Sequence, residues 1–163
     1  MKNLVALLFA LSVSATAQSA DAIYKRACGP KDASFEVEQI KGQPPAAPEP
    51  GKALVYFIQK ESGPYFTTRV GLDGSWVGVI QHNSYIFVSV APGEHHVCAA
   101  TQDHKHPGPE LIHFTAKAGD VYYYLVRGIA ENTGFSMVFS GADHDEAQFL
   151  IASDTMSISK PKQ

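Results

Sequence analysis

The sequence predicts an all-β protein, an antiparallel β-sandwich with one short C-terminal helix. Three observations carry that expectation. Residues Val70 to Ala99 read VGLDGSWVGVIQHNSYIFVSVAPGEHHVCA, with apolar and β-branched runs punctuated by Asp73-Gly74, His82-Asn83 and Pro92-Gly93. Such runs bounded by turn dipeptides are the pattern of antiparallel strands joined by tight turns. About eight such runs recur along the chain with turns roughly every eight to twelve residues, the spacing of a sandwich of the immunoglobulin or prealbumin kind. No helical periodicity separates them, and a parallel sheet would need crossover helices. The chain has 163 residues, 45% of them apolar and 18% charged, which fits one folded domain rather than a disordered segment.

The first residues carry the parts of an export leader. Lys2 supplies a basic start, Leu4 to Val13 an apolar run too short to span a bilayer, and Ala15-Thr16-Ala17 the small residues of a cleavage site. Residues 1–17 are expected to be a signal peptide cut after Ala17, with Ala20 the second choice; the alternative is a buried N-terminal helix. The first cysteine is Cys28, behind Tyr24-Lys25-Arg26-Ala27. Two charges and the distance from the apolar run argue against a lipid-attachment site. The mature protein should be exported and soluble, in the periplasm or outside the cell, and should not span the membrane.

Residues 18–50 form the next section. Ala22 to Ala27 can make one helical turn. Phe35 to Ile40 alternates apolar and charged residues and reads as a strand with Phe35 and Val37 facing in. Lys41 to Gly51 carries four prolines, which cannot donate to a ladder, so it reads as a connector with polyproline character.

The sandwich proper is expected over 51–158. Lys52 to Gln59 is continuously apolar and short, as for a central strand covered on both faces. Ser62-Gly63-Pro64 turns the chain; Thr67 to Leu72 and Ser75 to Gln81 flank a hairpin at Asp73-Gly74. Tyr85 to Val90 puts Ile86, Val88 and Val90 on one face and Tyr85, Phe87 and Ser89 on the other. In Glu94 to Thr101, His95, Val97 and Ala99 share a face, opposite His96, Cys98 and Ala100. A polar loop, Gln102 to Pro109, leads to the alternating run Leu111 to Ala116. Ala118-Gly119-Asp120 turns into Val121 to Arg127, rich in aromatic and β-branched residues. Phe135 to Ser140 reads as the last strand. Asp143 ahead of Glu146 then caps a helix of about two turns over EAQFLIA. Residues from Ser153 on read as a tail with room for a short strand, ending at 159–163.

Beyond the leader the only cysteines are Cys28 and Cys98. In an exported protein two cysteines favour one disulfide. It would close a loop of about 70 residues and stabilise by about 4 kcal/mol in the chain-entropy model. The alternative is two unpaired thiols, one buried and one exposed. A redox catalyst would ordinarily carry Cys-x-x-Cys, which is absent.

The succession PGKALVYFIQ, VGLDGSWVG, NSYIFVSVAPGEHHVCA, FTAKAGDVYYY and DEAQFLIAS resembles the Domain of Unknown Function 2846 family over about residues 50–155. The LDG, VG and PGEH portion is also similar to PEGA-type modules, small β-sandwich repeats of bacterial surface proteins. The resemblance implies an exported bacterial β-sandwich protein and brings no established reaction, cofactor or catalytic residue. Many members look like lipoproteins; this chain departs there, having no cysteine directly after its apolar run.

Candidate chemistry is sparse. His95, His96, His104, His106 and His113 fall within nineteen positions. His95-His96 cannot point to one face of a strand. His104 and His106 can present two imidazoles on one side of their loop, with Asp103 adding an oxygen. A zinc or copper set would use His95, His104, His106 and His113, although the spacing matches no standard framework. The alternative is a hydrogen-bonded turn histidine at 95 and solvated loop histidines. Trp76 with Tyr122, Tyr123 and Tyr124 could form an aromatic binding surface for a glycan or peptide; strand alternation instead puts one tyrosine set in the core. Asp143, Asp145 and Glu146 suit a helix N-terminus better than a calcium loop or a carboxylate pair. Nucleophile-elbow, zinc-protease, Walker and dinucleotide motifs are absent.

The formal charge of −3 and pI near 6.1 offer no basic excess for nucleic acid or anionic lipid. The function expected is a non-enzymatic binding or structural module of the periplasm or cell surface, without a cofactor. Its partner would be a protein or a cell-envelope component met at a sheet face or edge. A metal-binding accessory protein is the alternative, and a hydrolase with scattered carboxylates and histidines the third reading.

Overall fold

The computed structural model describes residues 18–42, 44, 47–60, 65–103, 108–132 and 134–162. The expected leader, 1–17, lies outside the described residues. The elements are α1 (Ala20–Ala27), β1 (Phe35–Ile40), β2 (Ala53–Lys60), β3 (Thr67–Leu72), β4 (Ser75–Gln81), β5 (Ser84–Val90), β6 (Gly93–Thr101), β7 (Glu110–Ala116), β8 (Val121–Glu131), β9 (Gly134–Gly141), α2 (His144–Ser153) and β10 (Thr155–Pro161).

They form two sheets, one in the order β1-β10-β5-β2-β8-β9 and the other β4-β3-β6-β7. The second is antiparallel throughout. The first is mixed: β2 runs parallel to β8, and β10 parallel to β5 over Thr155 and Met156. The expected β-sandwich is present, with these two parallel pairs set among otherwise antiparallel ones. A parallel pair needs a long crossover; between β2 and β8 it is made by four strands of the opposite sheet and β5, so no helix is required. β10 is a full strand where only a short one was expected. β1 pairs with it along its whole length, so the segment before the proline-rich connector belongs to the same sheet as β2.

Alternation decides what each face buries. Val55, Phe57, Ile86, Val97, Tyr124, Val126 and Phe139 meet between the sheets. On the other face of the six-stranded sheet, Leu54, Tyr56, Ile58, Tyr85 and Leu125 are covered by Ala147, Leu150 and Ile151 of α2. Seven of the eight β2 residues are buried, as a strand between two neighbours and two apolar layers must be. Each large side chain buried this way contributes about 1.5–3 kcal/mol.

Turn chemistry sets the hairpins. Asp73 and Gly74 both have positive φ, 50° and 83°, the conformation a two-residue hairpin needs to match strand twist. α2 starts where Asp143 accepts hydrogen bonds from the Asp145 and Glu146 amides.

The N-terminal segment is clamped to the outer face of the four-stranded sheet. Cys28 and Cys98 are disulfide-bonded and, with Ala27 and Ala100, form a small buried cluster against Tyr24 and Trp76. The Arg69 guanidinium donates to the carbonyls of Lys31 (2.9 Å) and Ala33 (2.7 Å), and the Trp76 indole N–H to that of Pro30 (2.8 Å).

Candidate functional site

The aromatic set does not come together. Trp76 lies under the N-terminal segment on the outer face of the four-stranded sheet. Tyr124 is between the sheets, 9% exposed; burial, then the neighbouring Tyr122, pushes its pKa up to about 12. Tyr123 projects the opposite way, under α2, where Gln148 donates to its hydroxyl. Tyr122 sits at the sandwich edge. Its hydroxyl accepts from the Lys117 amide at 3.0 Å and reaches the Thr115 carbonyl at 3.1 Å. Successive strand residues alternate faces, so a continuous aromatic platform from 122 to 124 is ruled out by geometry.

The histidine set is likewise divided. His104 and His106 lie outside the described residues. His95 pairs with Phe114 across the ladder and packs against its ring, on the inward face; His113 pairs with His96 on the outward face. His95 and His113 therefore cannot share an ion. Both ring nitrogens of His95 are occupied: Nδ1 is 2.6 Å from Asp73 Oδ2 and Nε2 2.8 Å from the Ala91 carbonyl. Two acceptors require two donating nitrogens, which is the imidazolium. Burial pulls the His95 pKa down, but the Ala91 carbonyl and the Asp73 carboxylate together outweigh it and the pKa is raised. Among the described residues no three His, Cys, Asp or Glu side chains form a group that could hold a metal ion.

The acidic cluster has structural work. Asp143 caps α2, and Glu146 accepts from Arg127 (2.8 Å) and Lys60 (3.1 Å). The Arg127 bond, then that from Lys60, holds the Glu146 carboxyl below its ordinary range.

A sheet edge is another feature able to engage a second molecule, and the four edges differ. Hydrogen-bond alternation tells which backbone groups of an edge strand point outward. On β1, the outward N–H and C=O of Phe35 are both taken by the Gln102 side-chain amide (2.9 and 3.0 Å). On β4, the Val79 amide donates to Ser159 Oγ and the Gln81 amide to Ser84 Oγ, while the Gln81 carbonyl accepts from Gln39. On β7, the Tyr122 hydroxyl closes the end at Thr115 and Lys117. On β9, the Ala142 amide donates to the Tyr123 carbonyl, so the main chains of Ser136, Val138 and Ser140 face β8 and those of Met137, Phe139 and Gly141 face outward. Among the described residues no side chain closes those three. β9 reads GFSMVFSG, without charge or proline. Val138 on β9 and Ile129 on the neighbouring β8 are exposed, 38% and 46%. β7 runs nearby but does not pair with β9.

The chain matches no family model, no curated protein and no solved structure. Among the described residues no helix is long and apolar enough to cross a membrane.

Proposed function

We propose that this chain is an exported, non-enzymatic binding module of the bacterial cell envelope, of the Domain of Unknown Function 2846 kind, and that it engages an extended segment of a protein partner along β9. The observation that carries the reading is the contrast between edges. Natural sheets protect an edge with charges, prolines, bulges or covering groups. Here a side chain is bonded to an outward backbone group of β1 at Phe35, of β4 at Val79 and Gln81 and of β7 at Thr115, whereas β9 offers eight uncharged residues with no side chain bonded to the main chain of Met137, Phe139 or Gly141 among the described residues. Strand addition takes its affinity from main-chain hydrogen bonds and its selectivity from alternate side chains. Exposed Val138 and Ile129 supply the apolar neighbours for such side chains. Export is supported by the leader-like residues 1–17 and by a disulfide that uses both cysteines of the chain.

The test is a scan with a photo-crosslinking residue in cells exporting the full chain, placed at Val138 on β9, Glu36 on β1 and Val77 on β4. The expected result is a discrete adduct with another protein from Val138 alone, diminished by Ser136→Lys. Adducts from Glu36 or Val77 but not Val138, adducts of the chain with itself only, or none at all overturn the reading.

A further inference from the structure

We propose that His96 and His113 form a two-imidazole site for a late first-row divalent transition ion, Cu2+ ahead of Zn2+, on the outer face of the four-stranded sheet. This is independent of the β9 edge, and it uses a histidine pair that sequence spacing hides, because the two are brought together by register alone.

The pair faces each other directly across β6 and β7. The Asp73 amide donates to the His96 carbonyl at 2.9 Å, so the His96 main chain bonds to β3 and not to β7. His96 and His113 are thus a non-hydrogen-bonded pair, the type whose side chains stand closest. Their ring centroids are 6.3 Å apart. Two imidazoles on one tetrahedral ion at about 2 Å each have centroids about 5 Å apart, so a rotamer adjustment of about 1 Å closes the chelate. Neither backbone need move, since both side chains rise from a paired ladder. His113 is exposed and His96 half-buried, leaving the remaining coordination positions to water.

One acid and one base flank the pair. Glu94, two residues before His96 on the same face, holds Oε1 3.7 Å from His96 Nε2. Arg26 lines the same shallow groove, of about 300 Å3, but its guanidinium is turned to Gln18 Oε1. Solvent screens that exposed charge. Two neutral imidazoles without thiolate suit Cu2+ and Zn2+, and affinity rises to Cu2+ in the Irving–Williams order.

The experiment is calorimetric titration of Cu2+ into the full chain in a non-coordinating buffer, repeated with His96→Asn, with His113→Asn and with His104→Asn/His106→Asn together. The expected result is one equivalent bound with a Kd of about 1 μM in the parent. Losing either member of the pair should weaken binding about 10-fold or more, since the second ligand is then no longer intramolecular. The His96→Asn/His113→Asn combination should be little worse than either alone, and the loop variant should bind as the parent does. Zn2+ should raise the melting temperature of the parent and not of His113→Asn, an exposed substitution that leaves the ladder intact. Parent-like affinity in His113→Asn, loss of the equivalent in the loop variant instead, or no stoichiometric uptake overturns the proposal.

Discussion

The Arg69 guanidinium lies 4.6 Å over the ring of Trp76, and both side chains hold the same stretch of chain. Arg69 is 2% exposed, and its nitrogens meet carbonyls at Lys31, Ala33 and Thr101 rather than a carboxylate. Burial draws its pKa below the ordinary arginine value. A buried cation bonded to main-chain carbonyls and stacked on an indole makes one latch of residues 28–34, with the Cys28–Cys98 bond as the other.

Arg69→Met should therefore keep the apolar stem and lose the latch. The expected cost is about 2 kcal/mol in urea denaturation, from carbonyls left without a buried donor. Arg69→Lys should recover less than half, because an ammonium has no planar fork. Trypsin should cut faster after Lys31 in both variants, with the fragments still joined through Cys28. An unchanged cleavage rate would show that the disulfide alone holds the segment.

His95 and Asp73 predict a pH dependence with a definite sign. A histidine whose folded pKa is raised contributes stability below its unfolded pKa of about 6.5 and loses it as pH climbs through the folded value. Asp73→Asn tolerates the positive φ at that position and keeps an oxygen for the His96 amide. It can also donate to His95 Nδ1, so the ring no longer needs a second proton. Parent and variant should differ most below about pH 6.5 and converge above the folded pKa. The His95 titration followed by NMR should have its midpoint above 6.5 in the parent and lower in Asp73→Asn. A parent midpoint at or below that value refutes the assignment of His95 as an imidazolium.

Local pattern revealed most of the strands. FEVEQI carries its half-buried face in its alternation and KALVYFIQ its double burial in its unbroken apolar run, and Asp73-Gly74 and Asp143 carry their turn and cap in their chemistry. What stayed hidden depends on partners distant in the chain. Nothing in VYYYLVR says that it pairs parallel to KALVYFIQ, since that follows from where the intervening strands go. The tail TMSISKP is too mixed in polarity to announce a strand; it becomes one because β1 and β5 flank it. Histidine spacing was a poor guide for the same reason. His95 and His113 are close in composition but on opposite faces, whereas His96 meets His113 through a register that only the folded hairpin sets. Edge protection was equally illegible: Gln102 reaches Phe35 across 67 positions.

Tyr122 provides the most direct test of the idea that side chains close these edges. Its hydroxyl is the partner of the Lys117 amide and can donate to the Thr115 carbonyl or to Asp120 Oδ2, 3.3 Å away. The ring packs against Phe114 in the core, with centroids 5.0 Å apart, so Tyr122→Phe removes the hydroxyl without disturbing the packing. If the hydroxyl is a latch on the β7 edge, its loss should cost about 1 kcal/mol. Hydrogen exchange at the Lys117 amide should then quicken by about 10-fold, while amides in β2 keep their protection. The variant should also associate with itself at high concentration, seen by sedimentation, because β7 then presents a longer run of unsatisfied backbone. Unchanged exchange at Lys117 would mean that water serves that edge as well as tyrosine does. The contrast between β7 and β9 would then cease to mark β9 as the edge left for a partner.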